Sequence, residues 1–144
     1  MFKRILVPTD GSDITVRAVD TAIALAKSLG AQITALAVRE PFPYSAISEM
    51  QPVPPLEYQE AQERIALSRV QQVQTTCAAA GVPCDVHTVE AIHPWEAIVE
   101  LAATTGCDLL VMASHGRRGV SALLLGSETQ KVLTHSKVPV LVVR

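Results

Sequence analysis

A glycine-rich stretch near the carboxyl end carries residue types that can bind an anion. It reads ASHGRRGVSALLLGSETQ, from Ala113 to Gln130, and follows the apolar run DLLVM. Gly116 and Gly126 lack a Cβ atom, so the backbone there can approach a ligand closely. Ser127 stands at a predicted helix start, where free N–H groups and the helix dipole favour an anion. The stretch indicates phosphate binding, but an ordinary strand-to-helix connection also explains it.

A second polar segment, PTDGS, follows the first apolar run and begins at Pro8. Its Asp10 is an acceptor suited to a ribose hydroxyl or a metal ion, although TDGS is also common turn and helix-capping chemistry. Arg117 and Arg118 either assist phosphate groups or are simply solvated. If the strands before the two segments are neighbours in a parallel sheet, both segments line one crevice at its carboxyl edge.

Apolar runs alternate with helix-like segments along the whole chain. The predicted strands cover residues 5–8, 33–38, 84–89, 109–112 and 138–143, and the third alternates like a half-exposed edge strand. The predicted helices cover about 13–29 and 56–80, then begin at Pro94 and after Ser127, where Gln130 completes a predicted capping box.

This βαβαβαβαβ pattern predicts an α/β fold: an open five-stranded parallel sheet, Rossmann-like, in the order 3-2-1-4-5, with helices on both faces. A chain of 144 residues fits one domain, 1–144. Residues 40–57 hold five prolines and no periodicity, so they form either a functional loop or a surface insertion.

The composition excludes several classes of protein. The chain is 49% hydrophobic and 18% charged, which is typical of a globular protein. A net charge of −2 without a long basic run argues against nucleic-acid binding, and no apolar run is long enough for a membrane span. Three cysteines and no secretion signal predict a cytoplasmic protein without a disulfide framework, and we expect no metal site.

Three segments together closely resemble the universal stress protein family: ILVPTDGS, SHGRRGVSALLLGS and the final VPVLVV. The resemblance covers essentially the whole chain. Nucleotide-binding members have the pattern Gly, two residues, Gly, nine residues, Gly, then Ser or Thr. Gly116, Gly126 and Ser127 fit this spacing, whereas Ala113 replaces the first glycine and places a methyl group where the ribose would approach.

The resemblance implies that the chain binds ATP, with or without Mg²⁺ or Mn²⁺, and it implies a role for each matching residue. Asp10 would meet the ribose, and the backbone of Val38 would contact the adenine edge. The remaining candidates line the base, sugar and phosphates: Pro8, Thr9, Met112, Ala113, Gly116, Arg117, Gly126, Ser127 and the backbone of Glu128. The Glu128 carboxylate is expected to point outward, since it would repel a phosphate if it turned inward.

Catalysis is poorly supported by the sequence. The chain lacks the Gly-x-x-x-x-Gly-Lys-[Ser/Thr] phosphate loop and the Gly-x-Ser-x-Gly nucleophile elbow. The main hypothesis is therefore an ATP-binding stress-response module that acts through conformation and partners and hydrolyses ATP slowly at most. The alternative is a nucleotide-free, dimeric interaction protein of the same family. A receiver-like domain is disfavoured because its third strand should end in Asp, whereas this one ends Val89-Glu90-Ala91.

The C-terminal strand, from Val138 to Val143, predicts a homodimer. In the order 3-2-1-4-5 this strand lies at an edge, and only Pro139 interrupts its apolar run. Soluble proteins normally protect such edges, and pairing with the same strand of a second copy would do so with two-fold symmetry. A covering loop or helix of the same chain is the alternative. The resemblance also implies a dimer, and the sequence leaves other protein partners unknown.

Overall fold

The computed structural model describes residues 1–42, 56–117 and 124–144. In chain order its elements are β1 (Arg4–Pro8), α1 (Asp13–Leu29), β2 (Gln32–Arg39), α2 (Leu56–Ala79), β3 (Cys84–Glu90), α3 (Pro94–Thr104), β4 (Leu109–Ala113), α4 (Ser127–His135) and β5 (Val140–Val143). The strands form one parallel sheet in the order β3-β2-β1-β4-β5, which confirms the predicted Rossmann-like α/β fold.

Helices cover both faces of the sheet because side chains alternate along each strand. Ile5 and Val7 of β1 pack with buried residues of α1 and α2. Leu6, between them, packs on the other face with buried residues of α3 and α4. All three side chains are fully buried, so β1 is the centre of a core built mainly from aliphatic residues.

The β1 and β4 strands are direct neighbours, although three helices and two strands separate them in the chain. Ile5 pairs with Leu109 and Leu6 with Leu110. The chain order reverses here, and parallel strands end at the same edge, so the segments after β1 and β4 meet. This juxtaposition brings the two polar segments of the sequence together.

The β5 strand occupies one edge of the sheet and is shorter than predicted, since it begins at Val140. Leu110 N donates to Pro139 O at 2.9 Å, and Ser114 N donates to Val143 O at 2.8 Å. The Leu141 side chain is 39% exposed. Most of the predicted 40–57 loop, residues 43–55, lies outside the described residues, as does Arg118.

No helix within the described ranges is both long and apolar enough to cross a membrane.

Candidate functional site

Asp10 connects the segments that follow β1 and β4. Its Oδ1 accepts hydrogen bonds from Ser12 N at 2.9 Å and Thr15 Oγ1 at 3.0 Å. Its Oδ2 accepts from Arg117 N at 2.8 Å, and Arg117 Nε donates to Asp10 O at 2.8 Å. Burial raises the pKa of this carboxyl group, but hydrogen bonds from Ser12, Arg117 and Thr15 outweigh burial and leave the pKa below its ordinary value.

Gly116 is required by the closeness of Asp10. A Cβ atom added at Gly116 would lie 2.7 Å from Asp10 Oδ2, so any other residue there would force the Asp10 carboxylate out of its hydrogen bonds. The absence of a Cβ therefore lets the Asp10 carboxylate reach the backbone of Arg117. The sequence analysis assigned this glycine to phosphate binding, and the structure adds a contact within the protein.

Gly126 closes the β4–α4 connection at its other end. Gly126 N donates to Ser114 O at 2.7 Å, and a Cβ at Gly126 would lie 3.1 Å from His115 Cα.

The capping box predicted for Ser127 and Gln130 at the start of α4 is wrong. Gly126 is the N-cap residue, Ser127 is the first helical residue, and the Gln130 amide instead donates to Leu125 O at 2.8 Å.

Ser127 is exposed at the start of α4, as anion binding there would require. The first turn of a helix has N–H groups without partners inside the helix, and its dipole favours negative charge. Across the parts of the chain that are described, the Ser127 hydroxyl makes no hydrogen bond with another residue. A phosphate oxygen could therefore bind at this position without displacing a protein contact of that hydroxyl.

The Glu128 carboxylate is directed to a different helix. Its Oε2 accepts from Trp95 N at 2.8 Å and so satisfies a free N–H in the first turn of α3. The Trp95 ring stacks on His135 with the ring centroids 4.3 Å apart. The expected outward direction is therefore wrong, because the Glu128 carboxylate is bonded to the backbone of α3.

The methyl group of Ala113 packs inside the protein. Ala113 is the last residue of β4, is 4% exposed and clusters with Ile14 and Ala18 of α1. Its φ is not positive, so alanine is not strained there. The methyl group therefore lies in the core beneath α1, and the expectation that a ribose approaches it stays a prediction.

The remaining predicted residues lie at the carboxyl ends of three adjacent strands. Pro8 ends β1, and Thr9 N donates to Leu36 O of β2 at 2.8 Å. Val38 lies near the end of β2, and Met112 of β4 is 6% exposed; both pack on the face covered by α3 and α4. The structure thus gathers Pro8, Thr9 and Asp10 near Gly116 and Arg117, with Gly126 and Ser127 at the other end of the β4–α4 connection.

The profile of the universal stress protein family matches residues 1–144, the whole sequence. The chain belongs to the universal stress protein family. It is 37% identical to a universal stress protein of Thermus aquaticus over 145 residues, with 100% of each chain covered. Both comparisons span the two polar segments and the C-terminal strand.

Solved structures of universal stress proteins share the fold. The Methanocaldococcus jannaschii protein MJ0577 superposes with a TM-score of 0.84 at 29% identity, covering 99% of this chain and 96% of that one. A universal stress protein in complex with cAMP superposes with a TM-score of 0.72 at 27% identity, covering 99% and 97%. A nucleotide is therefore bound by at least one structural relative.

One residue of the site, Thr15, and one residue outside it, Arg69, were not predicted from the sequence. Thr15 bonds to Asp10 from the first turn of α1, and its spacing of five residues from Asp10 could have suggested this contact. Arg69 of α2 lies beside Gly11, where its Nε atom is 3.3 Å from the position of an added Cβ. No local pattern could have indicated Arg69, because its position depends on how α2 packs on the sheet.

No group of three or more His, Cys, Asp or Glu side chains suited to a metal ion occurs among the residues that the structure describes.

Proposed function

We propose that this universal stress protein binds ATP across the carboxyl ends of β1 and β4 and acts as a stress-response module through conformation and protein partners. The single observation that carries the proposal is the meeting of Asp10 with the β4–α4 connection, which leads to the exposed N-terminus of α4. The whole chain would act as one domain. An odd number of cysteines, which argues against a disulfide framework, favours the cytoplasm.

In the proposed complex, the ribose and the phosphates have separate protein partners. The Asp10 carboxylate accepts a ribose hydroxyl in place of Arg117 N, which now holds Oδ2. The phosphates approach Gly126 and Ser127, where helix N–H groups and the dipole favour negative charge. Pro8, Thr9, Val38 and Met112 supply the surroundings of the base and sugar.

Breaking the contact between Asp10 and Arg117 is the proposed conformational step. Two hydrogen bonds of 2.8 Å connect these residues, one through the backbone of Arg117 and one through its side chain. When the ribose hydroxyl takes the carboxylate, the backbone of Arg117 is released from Asp10. Binding thereby changes the position of the β4–α4 connection, a change that a partner can recognise.

Any divalent cation would depend on the nucleotide for most of its ligands. Asp10 is one carboxylate whose two oxygens already accept three hydrogen bonds. Mg²⁺ and Mn²⁺ prefer oxygen ligands, and Mg²⁺ is commonly bound through substrate phosphates. The residues present therefore fit a cation that arrives with ATP better than a resident metal ion.

One observation favours the alternative of a nucleotide-free interaction protein. Asp10, Gly116 and Arg117 satisfy one another within the chain, so the network is complete without a ligand. In that case the hydrogen bonds of Asp10 would only hold the loop after β1 against the β4–α4 connection. The function would then depend on the exposed β5 edge as a dimer interface.

Mass spectrometry of small molecules released from freshly purified protein distinguishes the two hypotheses. The proposal predicts that an adenine nucleotide is released in an amount that increases when the protein is purified in the presence of ATP. Trp95 is bonded to Glu128 at the start of α4, so its fluorescence should change in the same samples. Protein that releases no nucleotide after purification with ATP would support the nucleotide-free alternative.

A further inference from the structure

A cleft of about 520 Å³ lies between α2 and the loop that follows β1. We call it the arginine cleft; its polar lining comprises Arg64, Ser68, Arg69, Gln72 and Arg117, beside the backbone of Gly11. Its volume is within the range of about 300–1,000 Å³ that is typical of small-molecule sites. Among the described residues that line it, none is an acid.

The guanidinium groups of Arg69 and Arg117 both lie beside Gly11 in the arginine cleft. Arg117 Nη2 and Arg69 Nε lie 3.2 Å and 3.3 Å from the same point, the position of a Cβ added at Gly11. Burial lowers the pKa of Arg69, the positive charge of Arg117 lowers it further, and Asp10 offsets part of this effect. The two positive charges therefore repel each other across Gly11.

In the part of the chain that the structure describes, the arginines of the cleft form no ion pair with an acid. Within the described ranges, no carboxylate oxygen lies within 4.0 Å of a side-chain nitrogen of Arg64, Arg69 or Arg117. The negative charge of Asp10 acts on Arg69 and raises its pKa. The Asp10 carboxylate, however, already accepts three hydrogen bonds from other groups. An external anion would remove the repulsion between the arginines.

We propose that the arginine cleft is a second binding site, separate from the nucleotide crevice, for a free phosphate compound such as pyrophosphate. Arg64 and Arg69 reach it from α2, and Arg117 reaches it from the β4–α4 connection. The planar guanidinium group binds phosphate oxygens through paired N–H donors, and Ser68 and Gln72 add neutral donors. This inference goes beyond the proposed function because the nucleotide phosphates are assigned to the start of α4.

The test is calorimetric titration of pyrophosphate at low ionic strength into a Ser127→Asp variant. The added carboxylate suits the first turn of α4 but repels phosphate there, so the variant weakens phosphate binding at the nucleotide site. Pyrophosphate should still bind to this variant. Adding Arg69→Gln should weaken that binding about tenfold or more, as expected for the loss of a charge-assisted contact. Arg17→Gln, which removes an exposed arginine of α1, is the matched control and should have no such effect.

A comparison of ATP titrations identifies the source of the phosphate. If the site is separate, Arg69→Gln in the otherwise native chain leaves ATP affinity within about twofold of its original value. The proposal is overturned if pyrophosphate does not bind to the Ser127→Asp variant, or if its binding there is unaffected by Arg69→Gln. A loss of ATP affinity in Arg69→Gln, without pyrophosphate binding to Ser127→Asp, would assign these arginines to the nucleotide instead. Failure of ATP to bind the native protein would contradict only the proposed function.

Discussion

Asp10 holds two loops together, and its contribution depends on its negative charge. The hydrogen bonds from Ser12, Thr15 and Arg117 stabilise the ionised carboxylate. They keep its pKa in the folded protein below the ordinary value of 3.8 despite the opposing effect of burial. A depressed pKa in the folded state means that the ionised group stabilises the fold above its unfolded pKa. This stabilisation is lost as the pH falls through the folded pKa.

Replacing Asp10 by Asn should therefore reduce the loss of stability in acid. We expect the native protein to lose more unfolding free energy than Asp10→Asn as the pH falls below about 4. Urea unfolding followed by circular dichroism at a series of pH values measures this difference. Asp20→Asn changes an exposed carboxylate of α1 and should keep the native pH dependence, since exposed charges contribute little. Equal pH dependence in Asp10→Asn and the native protein would contradict the stabilising role of the Asp10 charge.

Gly116→Ala should be destabilising because of Asp10 and not because of backbone conformation. The added Cβ would lie 2.7 Å from Asp10 Oδ2, whereas Gly116 does not have a positive φ. We expect a cost of about 1–3 kcal/mol, as for other overpacked positions. In an Asp10→Ala background the same substitution should cost less than half as much, because the clashing carboxylate is gone. Urea unfolding of the four proteins measures this coupling, and equal costs in both backgrounds would exclude the contact as the cause.

Individual residues were predicted from the sequence only where local chemistry determines them. The family resemblance and the spacing predicted that Asp10 and the two glycines lie at one crevice, and Asp10 does meet Gly116 there. The burial of the Ala113 methyl group beneath α1 was not predicted, because a motif does not show which face of a strand a side chain occupies. The hydrogen bond from Trp95 to Glu128 could not be predicted, since the two residues lie on different helices and are 33 positions apart in the sequence.

The β5 strand exposes one row of backbone groups at the edge of the sheet. Its register with β4 and the bond from Leu110 N to Pro139 O fix which groups face inward. In a parallel ladder with this register, the amides of Leu141 and Val143 point to β4, and those of Val140 and Val142 point to the open edge. We propose that the outward groups pair with the same strand of a second copy to form a homodimer.

Proline substitutions at adjacent positions of β5 should separate folding from dimer formation. Val142→Pro removes an outward amide and should give a folded monomer, since the bonds to β4 remain. Leu141→Pro removes an inward amide and should lower the stability of the fold itself. Light scattering measures the mass of each variant at tens of micromolar protein, and circular dichroism measures its unfolding. A monomeric native protein, or a Val142→Pro variant that stays dimeric, would contradict this interface.

The elements were predictable because their periodicity is strong and their ends are marked. Gly30 ends α1 in the left-handed conformation, with φ of 68°, and Pro94 begins α3, as the sequence predicted. The start of β5 was placed two residues too early, because an apolar run does not show where pairing with β4 begins. The arginine cleft was not predicted, since it depends on how α2 packs against the loop after β1.

The complete molecule should bind ATP without turning it over at an ordinary enzymatic rate. The sequence lacks the lysine-containing phosphate loop, and the described residues contain no cluster of acidic or histidine side chains suited to a metal ion. We expect turnover below about 1 per second, the lower end of common enzyme values. Phosphate release from protein freed of contaminating ATPase measures this rate. Faster turnover that Ser127→Asp abolishes would show that the site is catalytic.

Calorimetric titration of ligand-free protein with ATP tests nucleotide binding at the start of α4. The native protein should bind ATP within the millimolar range. Ser127→Asp should weaken binding about tenfold or more, because a carboxylate replaces a hydroxyl at the proposed phosphate site. Gln71→Glu, which adds the same charge on an exposed position of α2, should bind like the native protein. The account is contradicted if the native protein does not bind millimolar ATP, or if Ser127→Asp binds ATP as tightly as Gln71→Glu.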